Sequence, residues 1–392
     1  MNDILDPQDG AARAVPFARL QPEIVLDALD SVLATVGVRT DGRLLPLNSY
    51  ENRVYQVGVE DGPPVVAKFY RPERWSDAAI LEEHAFVAEL AAREIPAVPA
   101  RVFEGRTLHS FDGFRFSIFE RRGGRAPDLD RRDTLEWLGR FIGRIHAVGQ
   151  TQNYTERPAL DIQTFGYEPR DFLLGHRFVP DDVRGAWETV VNLALEGVER
   201  AFERAGDIRM LRMHGDCHPS NVLWTDAGPH FVDFDDSRMG PAVQDLWLLL
   251  PGERAEASRA LADLLTGYED FCDFKPRELH LIEALRTLRL IHYQAWLARR
   301  WDDPAFPAAF PWFNTQQYWE DRILEMREQL GAMQEGPLWP VCRCARRVTA
   351  IEQTRQLCND SHSQLTGVAS FLSHVSSSVT ASQPLNGRTP RR

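Results

Sequence analysis

The chain contains the stretch HGDCHPSN at residues 214–221, followed by the stretch FVDFDD at residues 231–236. Asp216 lies five positions before Asn221, and Asp233 lies twelve positions after it. This is the spacing of a loop in which one Asp faces an acceptor hydroxyl, an Asn binds a metal ion, and a second Asp follows a short hairpin. The two stretches therefore predict a site for phosphoryl transfer.

Each polar residue of these stretches has a predicted role. Asp216 would orient the acceptor hydroxyl and take its proton. Asn221 and Asp233 would hold Mg²⁺ on the phosphates of ATP, because this ion prefers hard oxygen ligands and keeps waters and phosphate oxygens as well. Asp233 also counts as catalytic, since the bound metal neutralises charge on the transferred group. His214 is interpreted as a hydrogen-bonded core histidine that braces the loop.

Two other interpretations of the loop stay open at this point. It could be a polar connection between helices, although the joint spacing disfavours this. It could also bind zinc through His214, Cys217 and His218. The zinc interpretation is weaker because no fourth ligand is evident and a soft thiolate would lie beside hard carboxylates.

A strand lysine is the expected partner of the α- and β-phosphates, and the β-rich run at residues 65–70 supplies Lys68. The helix predicted after Ser76 offers Glu82 and Glu83 as carboxylates to hold this lysine. Glu83 lies on the apolar stripe of that helix, so we predict Glu83 as the partner. The alternative is a solvated lysine and a surface glutamate.

Two further candidates have weaker signals. No G-x-G-x-x-G loop precedes Lys68, but the hairpin at residues 47–55 contains Ser49, whose hydroxyl and neighbouring N–H groups could meet the phosphates. A simple polar turn explains the same residues. Asp245 begins a predicted helix at residues 241–250, where it either holds the catalytic loop from behind or is stabilised by the helix dipole.

The periodicity divides the chain into three parts. Residues 1–120 read as a β-hairpin, a strand, a helix and two more strands, which predicts an N-terminal lobe that binds the ATP phosphates. Residues 121–334 are mainly helical around a β-rich section at 208–234, which predicts a C-terminal lobe with the catalytic loop and the acceptor site. Together they predict an α+β, two-lobed protein-kinase-like fold. Residues 335–392 are Ser-rich and hold seven Arg against three acidic residues, which predicts a disordered tail.

Composition restricts the partners. The net charge is −12, and the segment before the basic tail is more acidic still, so nucleic acid and anionic membranes are disfavoured as partners. The apolar run at residues 246–250 is far too short to cross a bilayer. Five Cys without a paired C-x-x-C pattern support neither a disulfide framework nor a zinc site. We expect a cytoplasmic protein.

Several stretches together resemble the bacterial stress response kinase A family over about residues 18–334. The resemblance implies an atypical serine/threonine protein kinase on the fold of aminoglycoside phosphotransferases and choline kinases, active as a cytoplasmic monomer in stress responses. It implies a catalytic role for Asp216, Mg²⁺ binding by Asn221 and Asp233, and contact of Ser49 with ATP. The stretches are HGDCHPSN, FVDFDD, GPAVQDLW at 240–247, LNSYENRVYQ at 47–56 and VAKFYRPERW at 66–75.

The acceptor is left open by the residues themselves. Protein Ser or Thr is favoured by the resemblance alone, and a small alcohol such as an aminoglycoside, choline, homoserine or a sugar fits the same catalytic residues. A nucleotide-binding pseudokinase that regulates a partner is a further alternative. Against it stand the intact Lys68, Asp216, Asn221 and Asp233.

Overall fold

The computed structural model of the chain describes residue 17, residues 19–47 and residues 49–340. Its first part is a five-stranded antiparallel sheet with strand order β1-β2-β3-β5-β4. Two helices, α1 (Pro22–Leu33) and α2 (Asp77–Ala92), accompany this sheet. The strands are β1 (Thr40–Leu47), β2 (Arg53–Val59), β3 (Val65–Phe69), β4 (His109–Phe111) and β5 (Phe114–Glu120).

The two faces of the sheet have different neighbours. Ala67 and Phe69 of β3 lie in one hydrophobic cluster with Val25 and Leu29 of α1. Because side chains alternate along a strand, Lys68 between them points to the opposite face. That alternation, read from the sequence, directs the lysine away from α1 and toward the rest of the chain.

Helix α2 packs in a different hydrophobic cluster from α1. Ser76 caps its first turn by accepting a hydrogen bond from the backbone N–H of Ala79 at 3.1 Å. Its apolar residues Phe86 and Leu90 are fully buried in the large core formed with the C-terminal helices, whereas the sheet has its own cluster. The helix thereby connects the sheet to the catalytic half of the chain.

The C-terminal part is mainly helical, with four short strands that carry the motif. The predicted α+β, two-lobed fold is confirmed. The helices are α3 (Arg132–Gly149), α4 (Glu168–Gly175), α5 (Asp181–Ala205), α6 (Val243–Trp247), α7 (Arg254–Tyr268), α8 (Ile282–Ala298), α9 (Ala305–Ala309) and α10 (Gln316–Gln334). The short strands are β6 (Leu211–Met213), β7 (Val222–Thr225), β8 (Gly228–Phe231) and β9 (Arg238–Gly240).

The structure describes the first six residues of the predicted tail, 335–340. Leu338 is buried in the large core, and Arg254 of α7 donates hydrogen bonds to the carbonyl oxygens of Gly336 and Pro337. Residues 335–340 therefore pack on the C-terminal part. Residues 341–392 lie outside the described residues. Within the part that is described, no helix combines the length and the apolar character needed to cross a bilayer.

Candidate active site

Two strand pairings bring the two sequence stretches together. Strand β6 ends where HGDCHPSN begins, and it pairs with β9, which follows FVDFDD; Met213 lies opposite Arg238. Strands β7 and β8 form the hairpin between the stretches, with Val222 opposite Phe231. Since both ends of both stretches are held by antiparallel ladders, the catalytic loop and the Asp233 segment must lie side by side.

Close packing between the two segments requires glycine at position 215. Gly215 has φ +86°, and a Cβ there would lie 2.2 Å from the carbonyl oxygen of Asp236. Any larger residue would separate the segments. Next to it, the buried His214 donates a hydrogen bond through Nε2 to the carbonyl oxygen of Val232 at 2.9 Å, and its ring lies 4.4 Å from that of Phe234. His214 has the contacts expected of a histidine that braces the loop.

Asp245 supports the loop from below. Its carboxylate accepts hydrogen bonds from the backbone N–H groups of His214 at 2.8 Å and Gly215 at 2.9 Å. His146 Nε2 donates to the same carboxylate at 3.0 Å, and its Nδ1 bonds the hydroxyl of Tyr268 at 3.0 Å. Asp245 is 1% exposed, so these partners replace the water it loses on burial. The contacts favour the loop-holding interpretation over a simple helix-dipole effect.

Asp216 is placed at the open side of the loop. Its carboxylate lies 2.7 Å from Arg289 of α8 and 3.4 Å from Nε2 of His218. Burial opposes ionisation here, but the hydrogen bond to His218 and the charge of Arg289 outweigh it and hold the pKa of Asp216 below its ordinary value. Asp216 is therefore ionised at neutral pH, as a group that accepts a proton must be.

Asn221 and Asp233 lie on neighbouring segments, because the backbone N–H of Val232 donates a hydrogen bond to the carbonyl oxygen of Asn221 at 3.0 Å. The side-chain amide of Asn221 donates to the carbonyl oxygen of Asp216 at 2.9 Å, which fixes its orientation. Asp233 has a left-handed backbone (φ +59°) and a carboxylate that is 51% exposed. In the described residues no group of three or more His, Cys, Asp or Glu could hold a metal. An amide, one exposed carboxylate and phosphate oxygens fit Mg²⁺ and do not fit zinc.

Lys68 reaches the Asp233 segment from the sheet. Its ammonium lies 2.9 Å from Asp233 and 3.0 Å from Asp235. Burial opposes the charged form of Lys68, but the two carboxylates outweigh it and hold its pKa well above the ordinary value. Arg74 contacts Asp235 as well and lies 2.8 Å from Asp236. The lysine is thus a charged group, held between the buried Asp235 and the half-exposed Asp233, which is the predicted metal ligand.

The predicted pair of Lys68 with Glu83 is not formed. Glu83 is buried as expected, but its ion pair is with Arg157 at 3.4 Å, whereas those of Lys68 are with two aspartates. Arg157 also donates to the carbonyl oxygens of Asp235 and Ser237 at 2.8 Å. The direct contact that we predicted is therefore replaced by one with Arg157, although the charges of Lys68 and Glu83 still lower the pKa of Glu83 and raise the pKa of Lys68 against the effect of burial.

The turn that contains Ser49 joins β1 to β2, as its hairpin predicted. The residue of this turn with the strongest contacts is Glu51, whose carboxylate lies 2.6 Å from Arg300 and 3.3 Å from Arg71. Trp296 of α8 also donates its indole N–H to Glu51. The turn is therefore held against the end of α8, and the contact of Ser49 with ATP stays a prediction.

Four charged residues of the site escaped the sequence reasoning. Asp235 is one of three aspartates at residues 233–236, and spacing did not show that it pairs with Lys68 in addition to Asp233. The other three are arginines from separate parts of the chain. Arg74 lies in the loop before α2, Arg157 in the loop after α3, and Arg289 in α8. Their separations along the chain, for example 73 residues between Asp216 and Arg289, leave no local pattern to detect.

A family model described as the phosphotransferase enzyme family matches residues 43–282, from β1 to the first residue of α8. Stress response kinase A of Escherichia coli (strain K12) is 43% identical over 325 residues, which is 83% of this chain and 97% of that protein. The serine/threonine protein kinase RdoA of Salmonella typhimurium (strain LT2) is 42% identical over the same shares. The chain belongs to the stress response kinase A family, as the sequence stretches predicted.

Solved structures agree with this assignment at the level of the fold. An amicoumacin kinase in complex with AMP-PNP and Ca²⁺ aligns with a TM-score of 0.64 and 17% identity over 85% of this chain and 98% of that chain. A choline/ethanolamine kinase family protein from Mesorhizobium loti aligns with a TM-score of 0.51 and 16% identity over 80% and 99%. The kinase-like fold is therefore shown independently of sequence identity.

Proposed function

We propose that the chain is an ATP- and Mg²⁺-dependent serine/threonine protein kinase that acts as a cytoplasmic monomer in a stress response. The observation that carries the proposal is the ion pair between Lys68 and Asp233 at 2.9 Å beside the Asp216 loop. In this proposal Lys68 is the phosphate-binding cation, Asp233 the metal-binding carboxylate and Asp216 the base. The 42% identity to a serine/threonine protein kinase over 97% of the length of that protein supports a protein acceptor.

The chemistry follows from these positions. The acceptor oxygen bonds to the γ-phosphorus of ATP, the bond from that phosphorus to the β–γ bridging oxygen breaks, and the acceptor proton passes to Asp216. Lys68 holds the α- and β-phosphates, and the turn at Ser49 contacts them from the sheet. Asn221 and Asp233 hold Mg²⁺, which neutralises charge on the phosphates.

Labelled ATP tests the proposal directly. The full chain is incubated with γ-labelled ATP and Mg²⁺, alone and with a cell extract, and labelled sites are identified by mass spectrometry. We expect phosphate on Ser or Thr of the chain itself, since tethered residues such as those of its Ser-rich end are at high effective concentration, and on extract proteins. Asp216→Ala should abolish both, and omission of Mg²⁺ should prevent them.

The competing function predicts a different pattern. A kinase for small alcohols would turn over ATP only after the correct metabolite is added and would label no polypeptide. Such a result would overturn the protein-kinase proposal in favour of the small-molecule one. ATP binding without transfer to any acceptor would point to the pseudokinase.

A further inference from the structure

One cation at the site is much more exposed than the others. The side chain of Arg289 is 43% exposed, although its Nη1 lies only 2.7 Å from Oδ1 of Asp216. Three other cations of the site, Lys68, Arg74 and Arg238, are between 8% and 14% exposed and are paired with aspartates of the 233–236 segment. Of these four, Arg289 is the one that a ligand from solvent can approach.

Arg289 begins a stripe of polar and aromatic residues along one face of α8. Residues three, four, seven and eleven positions apart share a helix face, and the stripe contains His292, Tyr293, Trp296 and Arg300 in addition to Arg289. The rings of Tyr293 and Trp296 stack with centroids 5.6 Å apart. Its far end is closed, because Arg300 is paired with Glu51 of the β1–β2 turn. The stripe therefore presents its accessible positive charge at the catalytic loop.

Distance limits which part of an acceptor Arg289 can touch. An acceptor hydroxyl that donates to Asp216 lies within about 3 Å of that carboxylate, and therefore within about 6 Å of the guanidinium. Consecutive Cα atoms are about 3.8 Å apart. A carboxylate that binds the exposed side of the guanidinium at about 3 Å is then within about 9 Å of that hydroxyl, so in a peptide it belongs to a residue close in sequence to the accepting one.

We propose that Arg289 binds the carboxylate of an acidic residue close in sequence to the accepting Ser or Thr, so that the acceptor is an acidic peptide segment. The inference rests on the proposed protein-kinase function. Arginine has five donors in a planar fork, and the pair with Asp216 uses one nitrogen of that fork. A second carboxylate can bind at the exposed side, whereas a neutral neighbour would gain nothing from this charge.

Two matched peptides test the inference. One carries Asp and Glu on either side of a central Ser, and the other carries Asn and Gln at the same positions. The wild-type chain should phosphorylate the acidic peptide with a kcat/KM roughly 10–100-fold higher, the usual range for a partly exposed charge-assisted pair. Arg289→Gln should remove this preference mainly by raising KM for the acidic peptide, and Arg289→Lys should keep part of it.

Arg286 provides the control on the same helix. It pairs with Glu283 at 3.2 Å and lies over the ring of Trp247, so Arg286→Gln removes the same charge away from Asp216. Calorimetric titration with ATP shows that each variant is folded. The inference is overturned by equal kcat/KM for both peptides, by a preference that survives in Arg289→Gln, or by an equal loss in Arg286→Gln.

Failure of the proposed function looks different from failure of the inference. If the wild-type chain labels neither peptide nor any extract protein, the protein-kinase function is wrong and the acidic-peptide acceptor falls with it. If it labels both peptides equally well, the kinase function stands and only the role of Arg289 is refuted.

Discussion

The candidate site has two parts, the proposed phosphate side around Lys68 and the proposed acceptor side around Asp216, and their charged residues differ in exposure. On the phosphate side, the side chains of Lys68 and Asp235 are 8% and 5% exposed and are tied to each other. On the acceptor side, Asp216 and Arg289 are 21% and 43% exposed. The phosphate side is thus a rigid buried network, and the acceptor side is an ion pair that a substrate can reach. The first suits a fixed co-substrate and the second suits a partner that must be selected.

Among all the substitutions considered, replacement of Asp216 should have the largest effect on turnover. Asp216→Ala should lower turnover by roughly 10²–10⁴-fold, the usual worth of a positioned general base, with little change in ATP affinity. Single-turnover kinetics and calorimetry measure the two quantities. Asp226→Ala, an exposed aspartate in the β7–β8 turn, is the control and should retain wild-type turnover. Near wild-type turnover in Asp216→Ala would remove this residue from the mechanism.

On the phosphate side, substitution of Asp235 should cause the largest loss of stability. Asp235→Asn leaves Lys68 and Arg74 short of a buried counter-charge, so the free energy of unfolding should fall by about 3–5 kcal/mol. Asp233→Asn is the control: it removes the other carboxylate beside Lys68, but one that is half exposed, and should cost less. Denaturant unfolding compares the two, and equal losses would contradict the contrast between buried and exposed charge.

The same substitution has a predicted pH dependence. Burial opposes ionisation of Asp235, but Arg74 and Lys68 outweigh it and hold its pKa well below the ordinary value. Its contribution is therefore complete above the unfolded pKa of about 4 and is lost as the pH falls toward the folded pKa. The difference in unfolding free energy between wild type and Asp235→Asn should shrink as the pH is lowered from about 5.

Removal of the charge of Asp245 should lower both stability and turnover, because this residue holds the loop that contains Asp216. Asp245→Asn replaces one acceptor oxygen by a donor that faces the N–H groups of His214 or Gly215. We expect a loss of about 1–3 kcal/mol in stability, the cost of an unsatisfied buried group, together with lower turnover. Asp270→Asn, whose side chain is half exposed, is the control. Unchanged turnover would show that the loop does not depend on this support.

The smallest effect is expected at the end of the described chain. A chain ended at Pro340 should keep its melting temperature and activity, because the residues beyond it are Ser-rich and nearly free of aromatics. A chain ended at Gln334 also loses the buried Leu338 and should be less stable by about 1–2 kcal/mol. The melting temperatures of the two truncated chains show which boundary is right, residue 334 as composition suggested or residue 340 as packing indicates.

Spacing along the sequence was sufficient to predict those site residues that are close to one another in the chain. Asp216, Asn221 and Asp233 lie within eighteen residues joined by one hairpin, so spacing was enough to place them together. Lys68 followed from strand alternation. The direct partners of Lys68 could not be predicted in this way. Helix periodicity correctly predicted that Glu83 is buried, but the residue in direct contact with Glu83 is Arg157.

Periodicity and spacing act over a few residues, so the amino-acid sequence was enough to predict the fold class, the family and the polar residues of the candidate site. The pairing of the charges follows only from the folded chain. A buried charge must find an opposite charge wherever the packed chain offers one, and Arg74, Arg157 and Arg289 reach their partners across 73 to 161 residues. Pairing at such separations depends on how the lobes pack, which no local pattern encodes.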